Sequence, residues 1–461
     1  MKKSFFIAFQ VFAWFFILVV WNHQNLQAQR TTWNDVGIPG FSEGSVADTR
    51  IALDPSGLPY VVYQDMSQNN KGTVKKFNGT SWVPIGNAGF TPGPSYYYCI
   101  AVDHLGTPYV LFTDNNNGQK ATVMKFNGSS WVLVGSGAVS TGWASQFSLA
   151  IAGNNSPYVA YQTAGDLYSI TVVKFNGTSW VPIGHPGLLD ILTSFLSMAL
   201  DGSDNPYLVC TDASNSNKAL VLKCSDTTWT NLGNTEFSDS TAIYTTIALD
   251  GNNTPYVAYR DEAHGSKATV MKYTGTAWEP VGMKAFSADT VNFITLALDP
   301  GGKPHVIFMD YGNNYKATVL GYNGINWAPV GNAGFSAGSV ATTCMQIDGN
   351  GEIYACYVDG GNSNKATVMS YQTTTGISPE ESHGQLKVYP NPASGFINVD
   401  LQDIPSYGQL VLTDVEGKTV IKQYVKPGII RIGLGDLPSS VYLLQYQSTQ
   451  GKTYLKKLIV K

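Results

Sequence analysis

The sequence predicts an all-β protein built from repeated four-stranded sheets, and three observations carry that prediction. Tryptophan returns on a fixed ruler: Trp33, Trp82, Trp131, Trp180, Trp229, Trp278 and Trp327 are each 49 residues apart. Within each interval, short runs of β-branched and aromatic residues alternate with Gly, Asn, Asp and Pro, the pattern of strands separated by tight turns. Long amphipathic helical patterns are absent. A repeat of about 40–50 residues holding several strands is the period of a β-propeller, whose blades bury their faces only by stacking on neighbours.

In the first repeat the four strands fall at residues 50–53, 60–63, 73–77 and 81–85. The first turn, Asp54-Pro55-Ser56-Gly57-Leu58, suits a type I turn with proline second and a left-handed residue fourth, which makes a bulge. That fourth position holds Gly57, Gly106, Asn155, Asp204, Asn253, Gly302 and Gly351, all residue types that tolerate positive φ. The turn sets the register, so Ala52 faces Tyr60, Arg50 faces Val62 and, in the seventh repeat, Cys344 faces Cys356. A disulfide between Cys344 and Cys356 and a pair of small buried thiols both satisfy that geometry, the disulfide being open to an exported chain. Asn78-Gly79, repeated as Asn127-Gly128, Asn176-Gly177 and Asn323-Gly324, marks the hairpin between the third and fourth strands.

The repeats carry an asymmetry. The strand around Trp33 stands ahead of the first full repeat, whereas the ruler calls for a tryptophan at 376, where Gly376 sits. The last sheet therefore lacks its fourth strand and the N-terminus holds a spare. A seven-bladed β-propeller over residues 29–372, closed by the N-terminal strand, leaves neither edge open.

Ahead of it, Lys2 and Lys3 precede an apolar run from Phe5 to Trp21 and a small-residue site ending at Ala28. Residues 1–28 thus read as a signal peptide, with an uncleaved anchor as the competing reading. No other segment is long and apolar enough to span a membrane. Residues 373–385 break the period and read as a linker. Residues 386–461 read as short strands punctuated by Asn391-Pro392, Glu416-Gly417, Pro427-Gly428 and Pro438-Ser439, a small Ig-like β-sandwich. In that module Val388-Tyr389-Pro390-Asn391-Pro392, then Leu412-Thr413-Asp414, then Leu437-Pro438-Ser439-Ser440-Val441-Tyr442-Leu443 and Lys457-Leu458-Ile459-Val460-Lys461 resemble the type A sorting domain of the type IX secretion system. That family ends proteins exported by Bacteroidetes-type bacteria. The resemblance implies the type IX machinery as a partner through residues 386–461, passage across the outer membrane, and a secreted or cell-surface destination.

Charged residues are 13% of the chain and the formal net charge is -4, so a basic footprint for nucleic acid is missing. Nucleophile elbows, phosphate loops and spaced metal ligands are missing too, so neither cofactor nor metal is expected. Six repeats carry aspartate and lysine six residues apart across one loop: Asp65 and Lys71, Asp114 and Lys120, Asp212 and Lys218, Asp261 and Lys267, Asp310 and Lys316, Asp359 and Lys365. The third repeat has Thr163 and Ser169 instead. A loop staple, in which the aspartate caps backbone N–H groups and the lysine meets it, is preferred to a ring of ligand-facing charges or a calcium loop.

Tyr96, Tyr97, Tyr98, Trp143, Phe147, Phe195, Tyr244 and Phe293 sit just ahead of the innermost strands, near the rim of the axis. There they either pack between blades or stack on a sugar or peptide. Trp143, Tyr97, Tyr244 and Phe195 are the candidate ligand-binding residues, with Trp143 first because no other repeat has a tryptophan there. The expected function is an exported or cell-surface binding protein for carbohydrate or a surface protein. A secreted polysaccharide hydrolase or lyase is the alternative, resting on Asp48 and Glu43 meeting Glu262 across the rim. A structural scaffold is third.

Overall fold

The computed structural model describes residues 32–163, 168–188, 193, 195–233, 236–372, 386–401, 407–414, 418–435, 437–448 and 453–461. The signal segment 1–28 and the linker 373–385 lie outside the described residues. The chain divides into two compact parts, Met1–Thr373 and Thr374–Lys461.

In the first part, the strands form seven four-stranded antiparallel sheets among the described residues. Six are contiguous in sequence, and the seventh joins Val340–Ile347, Glu352–Asp359 and Lys365–Gln372 to Asn34–Asp35 from the far end of the chain. Asn34 faces Ser370 and Asp35 faces Met369. The Val36 N–H donates to the Val368 carbonyl at 2.9 Å, the counterpart of the Ile85 to Val74 bond in the first sheet.

The tryptophan ruler has a physical cause. Each indole N–H reaches a backbone carbonyl of the preceding sheet: Trp82 to Val36 at 2.7 Å, Trp131 to Ile85 at 2.8 Å, Trp180 to Val134 at 2.9 Å, and so on to Trp327 and Val281 at 2.7 Å. Trp33 donates to Val330 at 2.8 Å, the carbonyl one repeat beyond Val281. It stacks on Phe335 at 4.0 Å, as Trp82 stacks on Phe41 at 4.2 Å. A buried indole N–H needs such an acceptor, and a 49-residue period delivers one per sheet.

The first turn takes the expected form. Gly57, Gly106, Asn155, Asp204, Asn253, Gly302 and Gly351 all have positive φ, between 61° and 84°. Arg50 faces Val62 and Ala52 faces Tyr60. The second hairpin differs from a two-residue turn: Phe77 faces Trp82, so four residues intervene. The Asn78 side chain accepts from Thr80 N–H at 3.0 Å and Ser81 N–H at 2.9 Å, spreading the reversal over all four.

Repetition also isolates an exception. Tyrosine stands at one position of the second strand in six sheets, and Lys76, Lys125 and Lys223 lie over three of those rings. In the sixth sheet the tyrosine is His305 and the lysine is Gly321, where an added Cβ would come within 2.8 Å of the imidazole. Burial pushes the His305 ring below the ordinary histidine range. The unfolded chain then binds the proton more readily, so stability present above about pH 6.5 is lost as pH falls through that value. His305→Tyr is expected to abolish this loss. Urea midpoints of the natural protein should fall between about pH 7.5 and about pH 5 by more than those of the variant, and equal shifts would clear His305 of the effect.

The second part holds two sheets. One runs Lys387–Tyr389, Phe396–Asp400, Ile429–Gly433, and the other Thr419–Val425, Gly408–Thr413, Ser440–Ser448, Thr453–Val460. Ile397, Val399 and Ile432 of the first sheet meet Leu410, Leu412, Leu444 and Leu458 of the second in one core. Alternation along each strand puts these residues on the inner faces, which makes a sandwich.

Candidate functional site: a cavity ringed by left-handed residues

The innermost strands begin earlier than the sequence suggests, the first spanning Val46–Leu53. Ala47 faces Gln64 and Arg50 faces Val62, so Asp48 and Thr49 together oppose Tyr63. This bulge recurs in the other sheets whose inner strand is long enough to show it, between Tyr96 and Cys99, Ser145 and Ser148, Ile243 and Thr246, Asn292 and Thr295, and Ala341 and Cys344. At each one a residue stands in the left-handed region: Asp48, Tyr97, Gln146, Tyr244, Phe293 and Thr342, with Phe195 at the same place in the fourth repeat. Their φ values lie between 47° and 60°, and none of the seven is glycine. Each such residue costs on the order of 1 kcal/mol that glycine would avoid.

All seven line a cavity of about 930 Å³ at the centre of the first part. The backbone shape is common to the repeats and the side chains are not. A fold requirement accounts for the shape alone, which leaves the side-chain identities to serve the space they enclose. Phe195 lies 4.7 Å from Tyr244, which lies 5.3 Å from Phe293, and Tyr97 meets Phe147 edge-on at 6.4 Å. These rings form an aromatic arc. The polar members lock neighbouring sheets: Asp48 accepts from Tyr98 N–H at 2.8 Å, Gln146 from Phe195 N–H at 2.9 Å and Thr342 from Thr49 N–H at 3.4 Å.

Among the described residues lining the cavity, Asp48 is the sole carboxylate and Arg50 the sole cation. They pair at 2.8 Å, and the Arg50 guanidinium also donates to the Thr49 carbonyl at 2.9 Å. One turn of strand below the ring, Cys99, Ser148, Ser197, Thr246, Thr295 and Cys344 share the wall with Arg50. Burial pushes the Cys99 thiol up to about 12, so it stays protonated.

Trp143, Tyr97, Tyr244 and Phe195 all line this cavity, Trp143 with 44% of its surface exposed and Tyr97 with 50%. Trp143 is held by a bridge to Lys120. Tyr98 also borders the cavity but is buried in the core between the first two sheets. Cys344 lies opposite Cys356, but both are free thiols rather than a disulfide. The Cys344 thiol is directed at the Thr49 and Cys356 carbonyls, at 3.5 and 3.7 Å, which orients it for hydrogen bonding.

The Asp/Lys loops also differ from expectation. Asp65, Asp114, Asp212, Asp261, Asp310 and Asp359 each cap a single 3-10 turn by accepting from the N–H two residues on. Lys71, Lys120, Lys218, Lys267, Lys316 and Lys365 face them in register. Yet no ion pair joins any of these lysines to its aspartate among the described residues. In four loops the second carboxylate oxygen is taken by a threonine hydroxyl, Thr73, Thr269, Thr318 and Thr367, at 2.7 to 3.0 Å. The carboxylate is thus filled from inside the sheet. Thr163 and Ser169 of the third repeat bond each other at 3.0 Å.

The acidic residues invoked for hydrolysis stay apart. Glu43 pairs with Lys75 at 3.3 Å and Glu262 with Arg260 at 2.6 Å, and neither is among the described residues lining the cavity. The two facing carboxylates of a glycosidase are not assembled by Asp48, Glu43 and Glu262.

Residues 387–461 match the family model described as the secretion system C-terminal sorting domain. No curated protein matches the chain. Solved structures similar to it include a protein of unknown function from Dyadobacter fermentans, 14% identical over 74% of this chain and 98% of that one, with a TM-score of 0.42. An ulvan lyase from a new polysaccharide lyase family is 10% identical over 72% of this chain and 94% of its own, with a TM-score of 0.49. The fucose-binding lectin of Aleuria aurantia, a six-bladed β-propeller, is 16% identical over 64% and 99%, with a TM-score of 0.44. Likenesses this remote assign neither ligand nor activity. The protein is a β-propeller of repeated four-stranded sheets that ends in a type IX sorting domain, which implies secretion or an outer-surface location. Among the described residues, no helix is long and apolar enough to cross a membrane.

Proposed function

We propose that this chain is an exported, seven-bladed propeller, closed by its N-terminal strand, that binds carbohydrate in the central cavity. The domain limits are a signal peptide at 1–28, the propeller at 29–372, a linker at 373–385 and the sorting module at 386–461. One observation carries the binding reading: an aromatic arc of Phe195, Tyr244 and Phe293 faces the same cavity as the paired Asp48 and Arg50. Sugars present an apolar C–H face that stacks on aromatic rings and hydroxyls that both donate and accept. A carboxylate beside a guanidinium answers the hydroxyls from both sides.

Binding is favoured over hydrolysis because the one carboxylate among the described lining residues is already committed to Arg50. Glycan-array binding by the purified propeller, without release of reducing ends or unsaturated products, is the expected result. Trp143→Ala and Tyr97→Ala should each weaken binding by about tenfold or more, measured by calorimetry on the array hit, with circular dichroism unchanged. Undiminished affinity in both variants would remove the cavity as the site.

A further inference from the structure

Outside the cavity wall, the sixth repeat carries a second aromatic platform that its sister loops lack. Tyr311 and Tyr315 meet edge to face at 4.8 Å and are 37% and 49% exposed. Tyr315 sits at φ 61°, in the left-handed region. Five other repeats place Asn70, Gln119, Asn217, Ser266 and Asn364 at that point, and the divergent third repeat places Tyr168 there at φ 36°, with alanine where the sixth has Tyr311. A half-exposed tyrosine gains little burial to offset its backbone strain, and five of the seven loops do without it.

The platform is wired to the ring. The Tyr311 hydroxyl accepts from the Asn292 side chain at 2.8 Å, and Asn292 directly precedes Phe293 of the ring. Asn292 also accepts from Arg260, whose guanidinium lies 5.6 Å from the Tyr244 ring centroid and pairs with Glu262 at 2.6 Å. The path Tyr244, Arg260, Asn292, Tyr311, Tyr315 is therefore continuous, with aromatic rings at both ends and two hydrogen-bonding groups between them. Such a mixture suits a chain of linked sugars, in which apolar faces and hydroxyls recur at every residue.

Charge decides which chain. Arg50 carries Asp48 and Arg260 carries Glu262, so each guanidinium on the path is balanced by its own carboxylate. An acidic sugar would meet both carboxylates, and both guanidiniums beside them are already paired. Resting on the carbohydrate reading above, we infer that the ligand is an extended neutral oligosaccharide, running from the cavity over the fifth and sixth repeats onto Tyr311 and Tyr315.

The test compares arrays of neutral and uronate-containing oligosaccharides, from disaccharide to hexasaccharide, against the full-length secreted protein and three variants. The natural protein should bind neutral hexasaccharide about tenfold tighter than the disaccharide. Tyr311→Ala combined with Tyr315→Ala should erase that length dependence while leaving disaccharide affinity unchanged. Tyr315→Gly removes the ring and relieves the strained backbone, so loss of the length effect in a protein of equal or higher Tm would separate binding from folding. Trp143→Ala should weaken every length alike. Equal affinity for all lengths, unmoved by the tyrosine variants, would overturn the extended path while leaving the cavity reading intact. Preference for uronate chains would overturn neutrality, and binding to no oligosaccharide would overturn both readings.

Discussion

Trp33→Ala is expected to lower the unfolding free energy by about 3–5 kcal/mol, the range for deleting a large buried aromatic side chain. The indole is 8% exposed, stacks on Phe335 and donates to the Val330 carbonyl. Its removal leaves that buried carbonyl without its donor and opens a void between the sixth and seventh sheets. The effect reaches beyond one contact, because the N-terminal segment holds the last sheet at several points. Val36 and Phe41 donate to Val368 and Ala366, Gly40 donates to the Thr367 hydroxyl, and Ser42 accepts from the Ala366 N–H. Without the segment, strand Lys365–Gln372 presents an open edge, a template for pairing with other chains. Deleting residues 32–42 should therefore yield a protein that aggregates as well as one that unfolds early. Guanidinium titration followed by tryptophan fluorescence measures the point variant, and light scattering measures the truncation. A cost under about 1 kcal/mol for Trp33→Ala would mean that the segment is a tail and that the proposed ring is held elsewhere.

The part of this architecture that the sequence exposes is the part that repeats with constant chemistry. Tryptophan at a fixed interval and positive-φ residues at one turn position are the same residue types for the same reason, so periodicity reveals them. The register of Cys344 against Cys356 follows from that turn by counting. The ring around the axis is legible only in part: Tyr97, Phe195, Tyr244 and Phe293 stand out as aromatic residues near the rim, but the conformation they share with Asp48, Gln146 and Thr342 does not. The seven are of mixed residue type, and none is the glycine that marks a left-handed residue. One signal was available: a column of mixed residues in an otherwise regular inner strand. The lysines facing the loop aspartates misled in a different way. Asp and Lys at fixed spacing look like an ion pair, whereas the true partner, threonine eight residues after the aspartate, is neutral and common in strands.

That distinction yields the second large effect. Asp310→Ala should cost about 3–5 kcal/mol, although Asp310 is not among the described residues lining the cavity. The carboxylate is 4% exposed and accepts from Gly312 N–H at 3.1 Å, the Asn313 side chain at 2.9 Å and the Thr318 hydroxyl at 2.7 Å. Thr318 in turn accepts from Gly334 N–H at 2.8 Å, so one carboxylate organises the loop and the connection to the next sheet. Alanine strands three donors in a site water enters poorly, and each orphan costs about 1–3 kcal/mol before relaxation. Asparagine keeps the oxygen that caps the turn but turns an NH2 group toward the donor of Asn313, so Asp310→Asn should fall between alanine and the natural residue. Thr318→Val removes the relay alone and should cost about 1–2 kcal/mol. Lys316→Ala should cost less than about 1 kcal/mol, because Lys316 faces Asp310 in register without pairing with it. The ordering, aspartate to alanine largest and lysine to alanine smallest, separates a hydrogen-bonded cap from a salt-bridge staple. Denaturation of the four variants in parallel measures it, and a lysine variant as damaging as the aspartate variant would restore the staple.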